Sequence, residues 1–188
     1  MQLHGLLVTT LCGLHEGCSK VIMPKFIPAL FLSLIERYKI TSVNMVPPLL
    51  LFLANHPMVD EYDITSLKHI TYGAAPAGSE LAIKLKNKLG LDYLQQGYGM
   101  TEVGVTHVTP VDTFNPQSVG VPLSRINCKV VDIDTGAAVG PNCQGELVVQ
   151  GPQVCYKLFC IYQILPIITL CLVLRNWPSF LGHFFINM

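Results

Sequence analysis

Short apolar runs alternate with amphipathic, helix-like segments along the first 105 residues, and this alternation constrains the fold more than any other feature. Apolar runs predict three strands, at Ser19 to Met23, Thr41 to Val46 and Leu67 to Tyr72. Helical spacing predicts three helices, one from Pro28, one over Leu49 to Asn55 and one over Ser79 to Leu89. Such alternation favours the α/β class, with a mostly parallel sheet covered by helices.

Proline and glycine mark the predicted helix boundaries. The apolar face of the first helix is predicted to comprise Phe31, Leu34, Ile35 and Tyr38. Pro47 and Pro48 can open the second helix, because proline is tolerated in a first helical turn. Gly90 follows the third helix, where a residue with left-handed backbone angles commonly ends a helix.

The pattern changes from Ser118 onward, where strand-like alternation replaces the helical period. We predict strands at Asn127 to Ile133 and Gly145 to Gln150, with a turn at Asp134 to Gly136 between them. The expected organisation is a partial α/β subdomain at 1–117, a partial β subdomain at 118–154 and an apolar tail at 155–188.

The tail differs in composition from the rest of the chain. All twelve acidic residues lie at or before Glu146, and the tail contains only Lys157 and Arg175 as full charges. Leu158 to Leu174 is uncharged and mostly apolar, at the short limit for a membrane-spanning helix. We expect the tail to lie outside the fold, and membrane contact through 158–174 is the alternative.

Charge and cysteine usage restrict the partners and the compartment. Twelve Lys and Arg balance twelve Asp and Glu, so no basic surface is predicted for nucleic acid. Seven cysteines without metal-type spacing indicate reduced thiols inside a cell. The location is otherwise unassigned, with the cytoplasm as the default.

Two glycine-containing segments follow predicted strands, where ligands bind in open α/β sheets. The first is Gly73, Ala74, Ala75 and Pro76, whose small side chains would let a flat ring or an acyl chain lie against the backbone. Tight packing after a strand is the alternative explanation of this turn. On these residues alone, the segment is weak evidence for a ligand site.

The second segment combines several chemical groups in a predicted turn: Gln96, Gly97, Tyr98, Gly99, Met100, Thr101 and Glu102. Tyr98 could lie on a purine face, and the Thr101 hydroxyl could donate to a phosphate oxygen. Glu102 could bind Mg²⁺, which prefers oxygen ligands. A solvated turn without a ligand is the alternative.

Over about residues 5–154 the sequence resembles the adenylate-forming acyl-CoA synthetases, especially those similar to 4-coumarate-CoA ligase and beetle luciferase. The resemblance rests on the order and spacing of PKFIPALFLSLIERYKIT, VPPLLLFLANHPMVDEYDITSLKHI, GAAPAG, QGYGMTE, SVGVPL and GPNCQGELVVQGPQV. It implies part of the sheet-and-helix layers of that family's large domain, followed by a small β subdomain.

The resemblance also implies a reaction and roles for individual residues. The family activates a fatty or aromatic carboxylate with ATP and Mg²⁺ as acyl-AMP, which then reacts with CoA. By resemblance, Gly73 to Pro76 would flank the adenine and the acyl group, and Gln96 to Tyr98 would frame the adenine. Thr101 would contact the α-phosphate, Glu102 would bind Mg²⁺, and Val119 would touch the nucleotide.

Several family segments are missing from this chain. No Ser/Thr/Gly-rich phosphate loop with its lysine occurs, and neither does the Thr-Gly-Asp segment whose aspartate binds ribose. The C-terminal domain with its adenylation lysine is absent as well. We therefore expect a family member truncated at both ends and inactive alone, and we name no catalytic residue, His4 included.

Two other functions remain open from the sequence. One is a non-catalytic acyl- or nucleotide-binding protein, and the other is a membrane-associated protein that uses the tail. Many relatives are peroxisomal, but the chain ends in Ile186-Asn187-Met188 and not in the usual C-terminal signal.

Overall fold

A computed structural model describes residues 11–100 and 102–154, which form a mixed five-stranded sheet and a separate two-stranded sheet. The strands are β1 (Ser42–Met45), β2 (His69–Tyr72), β3 (Tyr93–Met100), β4 (Gly104–Val108), β5 (Val121–Pro122), β6 (Asn127–Val131) and β7 (Glu146–Gln150). The helices are α1 (Gly13–His15), α2 (Pro28–Tyr38), α3 (Pro47–Asn55) and α4 (Ser79–Leu89), with a 3₁₀ helix at Pro57–Glu61. This arrangement confirms the predicted α/β class.

The helix predictions are confirmed, because their signals are local. Pro28 and Pro47 occupy the first turns of α2 and α3, where a missing N–H removes no helical hydrogen bond. Gly90 follows α4 with φ 59°, a left-handed conformation that costs glycine little. Tyr38, predicted on the apolar face of α2, is instead exposed, and Leu32 is fully buried in that helix.

The five-stranded sheet has the order β1-β2-β3-β4-β5 and is only half parallel. β1, β2 and β3 run parallel, whereas β4 is antiparallel to both β3 and β5. The prediction of a mostly parallel sheet is therefore wrong beyond β3. The short connection between β3 and β4 permits only a hairpin, because a parallel crossover needs a dozen or more residues.

The strand predicted at Ser19 to Met23 is not formed, and this segment is irregular. Val21 is 41% exposed and Ile22 is 86% exposed, so neither contributes to a buried sheet. A β-branched run forms a strand only where a neighbouring strand takes up its backbone hydrogen bonds. Within the described residues, β1 is the first strand of the sheet.

The principal core joins α2, α3 and α4 to β1, β2 and β3. Its fully buried side chains include Leu32, Ile35, Leu50, Leu53, Leu67 and Leu85. Burial of a leucine or isoleucine contributes about 1.5–3 kcal/mol. This core fixes β2 and β3 side by side, and their carboxyl ends carry both glycine segments.

β6 and β7 form an antiparallel pair, which confirms the strand character predicted after Ser118. The turn between them begins where the Asp132 carboxylate accepts hydrogen bonds from Thr135, and these bonds lower its pKa. β5 pairs with β4, so the larger sheet extends to Pro122. The boundary at 117/118 stays a prediction.

Residues 11–100 and 102–154 contain no helix that is long and apolar enough to cross a membrane. The apolar run 158–174 and the rest of the tail lie outside the described residues, as does His4.

Candidate functional site

The two glycine segments meet at the carboxyl ends of β2 and β3. These parallel strands pair up to Tyr72 and Gln96, so Gly73 and Gly97 follow side by side. Gly73 is buried, and a Cβ atom there would lie 2.6 Å from the Gly97 carbonyl oxygen. Real Cβ atoms are essentially never found that close to a carbonyl oxygen. The absence of a side chain at Gly73 therefore allows the two backbones to touch.

The second segment is mostly strand and not the predicted turn. Gln96, Gly97, Tyr98, Gly99 and Met100 complete β3, and the chain turns only around Glu102. β3 continues because β4 pairs with it from Gly97 onward, with an irregularity between Tyr98 and Gly99. A side chain at Gly99 would overlap the β4 backbone, so glycine permits this close pairing.

The first segment is an exposed loop between β2 and α4. Ala74, Ala75 and Pro76 are exposed, whereas Gly73 beneath them is buried. Ala74 has φ 69°, in the left-handed region that costs a residue with a Cβ about 1–2 kcal/mol. Such strain is most common at functional sites, where the surrounding structure maintains it.

Gln96 is held inside the protein by its neighbours on both sides. Its side-chain oxygen accepts a hydrogen bond from the Tyr72 hydroxyl at 3.1 Å. Its backbone N–H donates to the Thr109 hydroxyl at 2.7 Å, and its carbonyl accepts from the Thr109 N–H. The side chain predicted to frame an adenine is thus directed toward the core, and its backbone supports the segment.

Tyr98 lies at the end of β3, and its ring contacts His107 of β4. The two ring centroids are 5.9 Å apart in an edge-to-face arrangement, and burial raises the pKa of the Tyr98 hydroxyl. His107 is fully buried, and burial lowers its pKa, which favours the neutral ring. The arrangement offers a partly buried aromatic surface, suited to a flat ring, one residue after Gly97.

Glu102 lies in the turn between β3 and β4 and is half-buried. No ion pair to it occurs among the described residues, and no cluster of three or more potential metal ligands occurs in that part of the chain. Mg²⁺ commonly binds one or two protein carboxylates together with substrate phosphates and water. One free carboxylate in a turn fits that mode of binding. Thr101, predicted to contact a phosphate, lies outside the described residues.

Val119 is 4% exposed and lies in the loop before β5. Next to it, the Gly120 N–H donates to the Ser118 hydroxyl at 3.1 Å. The structure shows a packing role for the Val119 side chain, and its contact with a nucleotide stays a prediction.

Sequence reasoning missed His107, Thr109 and Gln153, which surround the site residues. Thr109 bonds the backbone of Gln96, and Gln153 bonds the backbone that follows Glu102. The available signal was the polar content of Thr106 to Thr109, although no strand was predicted there, since three polar residues in a short segment need hydrogen-bond partners wherever that segment is buried. Gln153 gave no such signal, because its partners are distant in sequence.

Comparisons with known proteins show which family the sequence resembles. The sequence pattern of a family described as AMP-binding enzyme matches residues 3–157. The chain is 39% identical over 150 residues to 4-coumarate–CoA ligase 2 of Oryza sativa subsp. japonica, covering 77% of this chain and 26% of the relative. It is 38% identical over 153 residues to luciferin 4-monooxygenase of Photinus pyralis, covering 80% and 28% respectively.

The fold also matches solved structures of larger proteins. ATP-bound MatB from Rhodopseudomonas palustris matches with a TM-score of 0.73 and 28% identity, covering 80% of this chain and 30% of that one. The chain spans about a quarter of the length of the curated relatives that it matches. Since the family pattern covers most of the sequence and the fold agrees, the chain belongs to the AMP-binding enzyme family, whose members include adenylate-forming ligases.

Proposed function

We propose that this chain contributes part of a site where ATP activates a fatty or aromatic carboxylic acid as an acyl-adenylate for transfer to CoA. The observation that carries the proposal is the backbone contact between Gly73 and Gly97. It brings the loop that starts at Gly73 against Gly97, the residue before Tyr98, at the carboxyl ends of strands where α/β proteins bind ligands. The family membership supports the reaction class.

In this proposal, the adenine lies between the Tyr98 ring and the small residues Ala74 and Ala75. Tyr98 offers an aromatic face, and the loop offers a surface without bulky side chains. Gln96 supports the nucleotide through its backbone, which Thr109 holds in place, while Tyr72 holds the Gln96 side chain. Thr101 and Val119 contribute further nucleotide contacts.

Glu102 and the nucleotide phosphates together would hold Mg²⁺. When bound, the ion would draw electron density away from the phosphate that the carboxylate of the acid substrate attacks. The contribution of this chain is to bring the Glu102 carboxylate to the same edge of the sheet as Tyr98. The aromatic part of the acid substrate class rests on similarity to 4-coumarate–CoA ligase 2.

The test uses the full chain and two alanine variants. Gly73→Ala places a Cβ atom against the Gly97 carbonyl, whereas Gly78→Ala, five residues later, places one in open space. We expect Gly73→Ala to weaken AMP binding about tenfold or more, because overpacking displaces backbone at a cost of about 1–3 kcal/mol. Gly78→Ala should bind AMP as the wild type does.

Isothermal titration calorimetry with AMP provides the affinities, and ATP-dependent pyrophosphate release with 4-coumarate or a fatty acid measures activation. No AMP binding by the wild-type chain would refute the nucleotide site. Binding without pyrophosphate release fits both a partial activation site and a non-catalytic nucleotide-binding protein, whereas pyrophosphate release would exclude the second.

A further inference from the structure

The chain that leaves β7 returns to the turn that carries Glu102. The Gln153 side-chain nitrogen donates to the carbonyl oxygen of Val103 at 2.9 Å and to that of Val105 at 2.6 Å. These partners lie 50 and 48 residues earlier in the chain. The Gln153 side chain, three residues after β7, therefore holds the backbone at the start of β4.

The chemistry of an amide fixes how Gln153 faces this backbone. Both partners are carbonyl oxygens, which accept hydrogen bonds only, so the nitrogen and not the oxygen of the side chain must face them. The nitrogen carries two hydrogens, and each carbonyl takes one. One side-chain nitrogen is therefore sufficient to hold the carbonyl oxygens of both Val103 and Val105.

Val154 adds an apolar contact on the same turn. It is 8% exposed and packs in a small cluster with Val103 and Met100, separate from the principal core. Met100 ends β3, and Val103 immediately follows Glu102. The cluster that contains Val154 therefore includes residues on both sides of the Glu102 turn.

Local contacts alone hold this turn weakly. Across it, the Val103 N–H donates to the Met100 carbonyl at 3.2 Å, and Met100 pairs with Gly104. Fixing the backbone of one residue costs about 1–2 kcal/mol of conformational entropy. A turn already held by Gln153 and Val154 avoids part of that cost when a ligand binds to Glu102.

We propose that Gln153 and Val154 are positioning residues that hold the Glu102 turn in its metal-binding position and thereby set the affinity for Mg²⁺-ATP. This inference rests on the proposed function, in which Glu102 binds the metal. Neither residue touches the ligand in this mechanism, because Gln153 acts through the carbonyl groups of Val103 and Val105, and Val154 acts through its packing with Val103. AMP bound without metal depends on Tyr98 and the Gly73 loop, and its affinity is independent of Gln153.

The experiment compares three variants of the full chain. Gln153→Met keeps the side-chain length and removes both donors, whereas Gln153→Glu presents a carboxylate to two carbonyls at neutral pH. Gln150→Met is the matched control, since Gln150 is an exposed residue at the end of β7, three positions earlier. Thermal melts of all variants identify any that fail to fold.

Two measurements report on the inference separately. Hydrogen exchange by mass spectrometry follows the amides of 103–106, which we expect to exchange about tenfold faster in both Gln153 variants and unchanged in Gln150→Met. Calorimetry should give Mg²⁺-ATP binding about tenfold weaker, or about 1.4 kcal/mol, with AMP affinity in EDTA unchanged.

Unchanged exchange in Gln153→Met overturns the inference, and so does faster exchange with unaltered Mg²⁺-ATP affinity. Equal losses of Mg²⁺-ATP and metal-free AMP affinity also overturn it, since they indicate a general structural defect. If the wild-type chain binds neither nucleotide, the proposed function fails. The exchange comparison then still decides whether Gln153 orders the turn.

Discussion

The hydrogen bond between Tyr72 and Gln96 links the two strands that end at the site, and its removal has a calculable cost. Tyr72 is 1% exposed and Gln96 is 7% exposed, so neither group can exchange its partner for bulk water. Tyr72→Phe leaves the Gln96 side-chain oxygen buried without its donor. We expect the free energy of unfolding at pH 7 to fall by about 1–3 kcal/mol.

The pH dependence of the free energy of unfolding provides a second test of Tyr72. Burial raises the pKa of Tyr72 to about 12 from 10.0 in the unfolded chain. A raised folded-state pKa contributes stability that is complete below the unfolded pKa and is lost as the pH rises through the folded value. By about pH 11, the wild type should have lost about 1.4 kcal/mol through this group, whereas Tyr72→Phe loses none. The difference in the free energy of unfolding between the wild type and Tyr72→Phe should therefore narrow by about 1.4 kcal/mol.

Urea denaturation at pH 7 and at about pH 11, followed by circular dichroism, measures both differences. Gln96→Met and the double variant complete a thermodynamic cycle, in which the double variant should lose less stability than the sum of the single variants. Additive losses would refute the hydrogen bond, and a wild-type-to-Phe difference independent of pH would refute the burial argument.

Two further substitutions test strain and an unpaired buried atom. Ala74→Gly should raise the free energy of unfolding by about 1 kcal/mol, because glycine adopts φ 69° without a Cβ penalty. Urea denaturation measures this gain, and equal or lower stability would mean that Ala74 is not strained. His107→Leu should also stabilise by up to about 1 kcal/mol, because the buried Nε2 atom has no hydrogen-bond partner among the described residues, and its desolvation costs more than the Nδ1–Thr106 hydrogen bond contributes. A loss of stability in the same assay would show that the imidazole makes a favourable contact there.

Local signals in the sequence were sufficient for the helices and for part of the sheet. Pro28, Pro47 and Gly90 each restrict backbone angles within a few residues, and helices begin or end at these positions in the structure. The strands β6 and β7 were also readable, because alternation and a turn are short-range features. The motif around Tyr98, together with the upstream GAAPAG and the other stretches, was sufficient for the family resemblance.

Only the tertiary structure decided which of these segments touch. Ser19 to Met23 has the composition of a strand but no neighbouring strand within 11–100 and 102–154, whereas Gly97 to Met100 has the composition of a turn and becomes strand through pairing with β4. The Gly73–Gly97 contact depends on strands joined through α4, and the Gln153 hydrogen bonds span about 50 residues. The sequence by itself therefore determined the local conformations and the family, because they depend on near neighbours. The strand partners and the support of the site depend on distant residues that meet only in the folded chain.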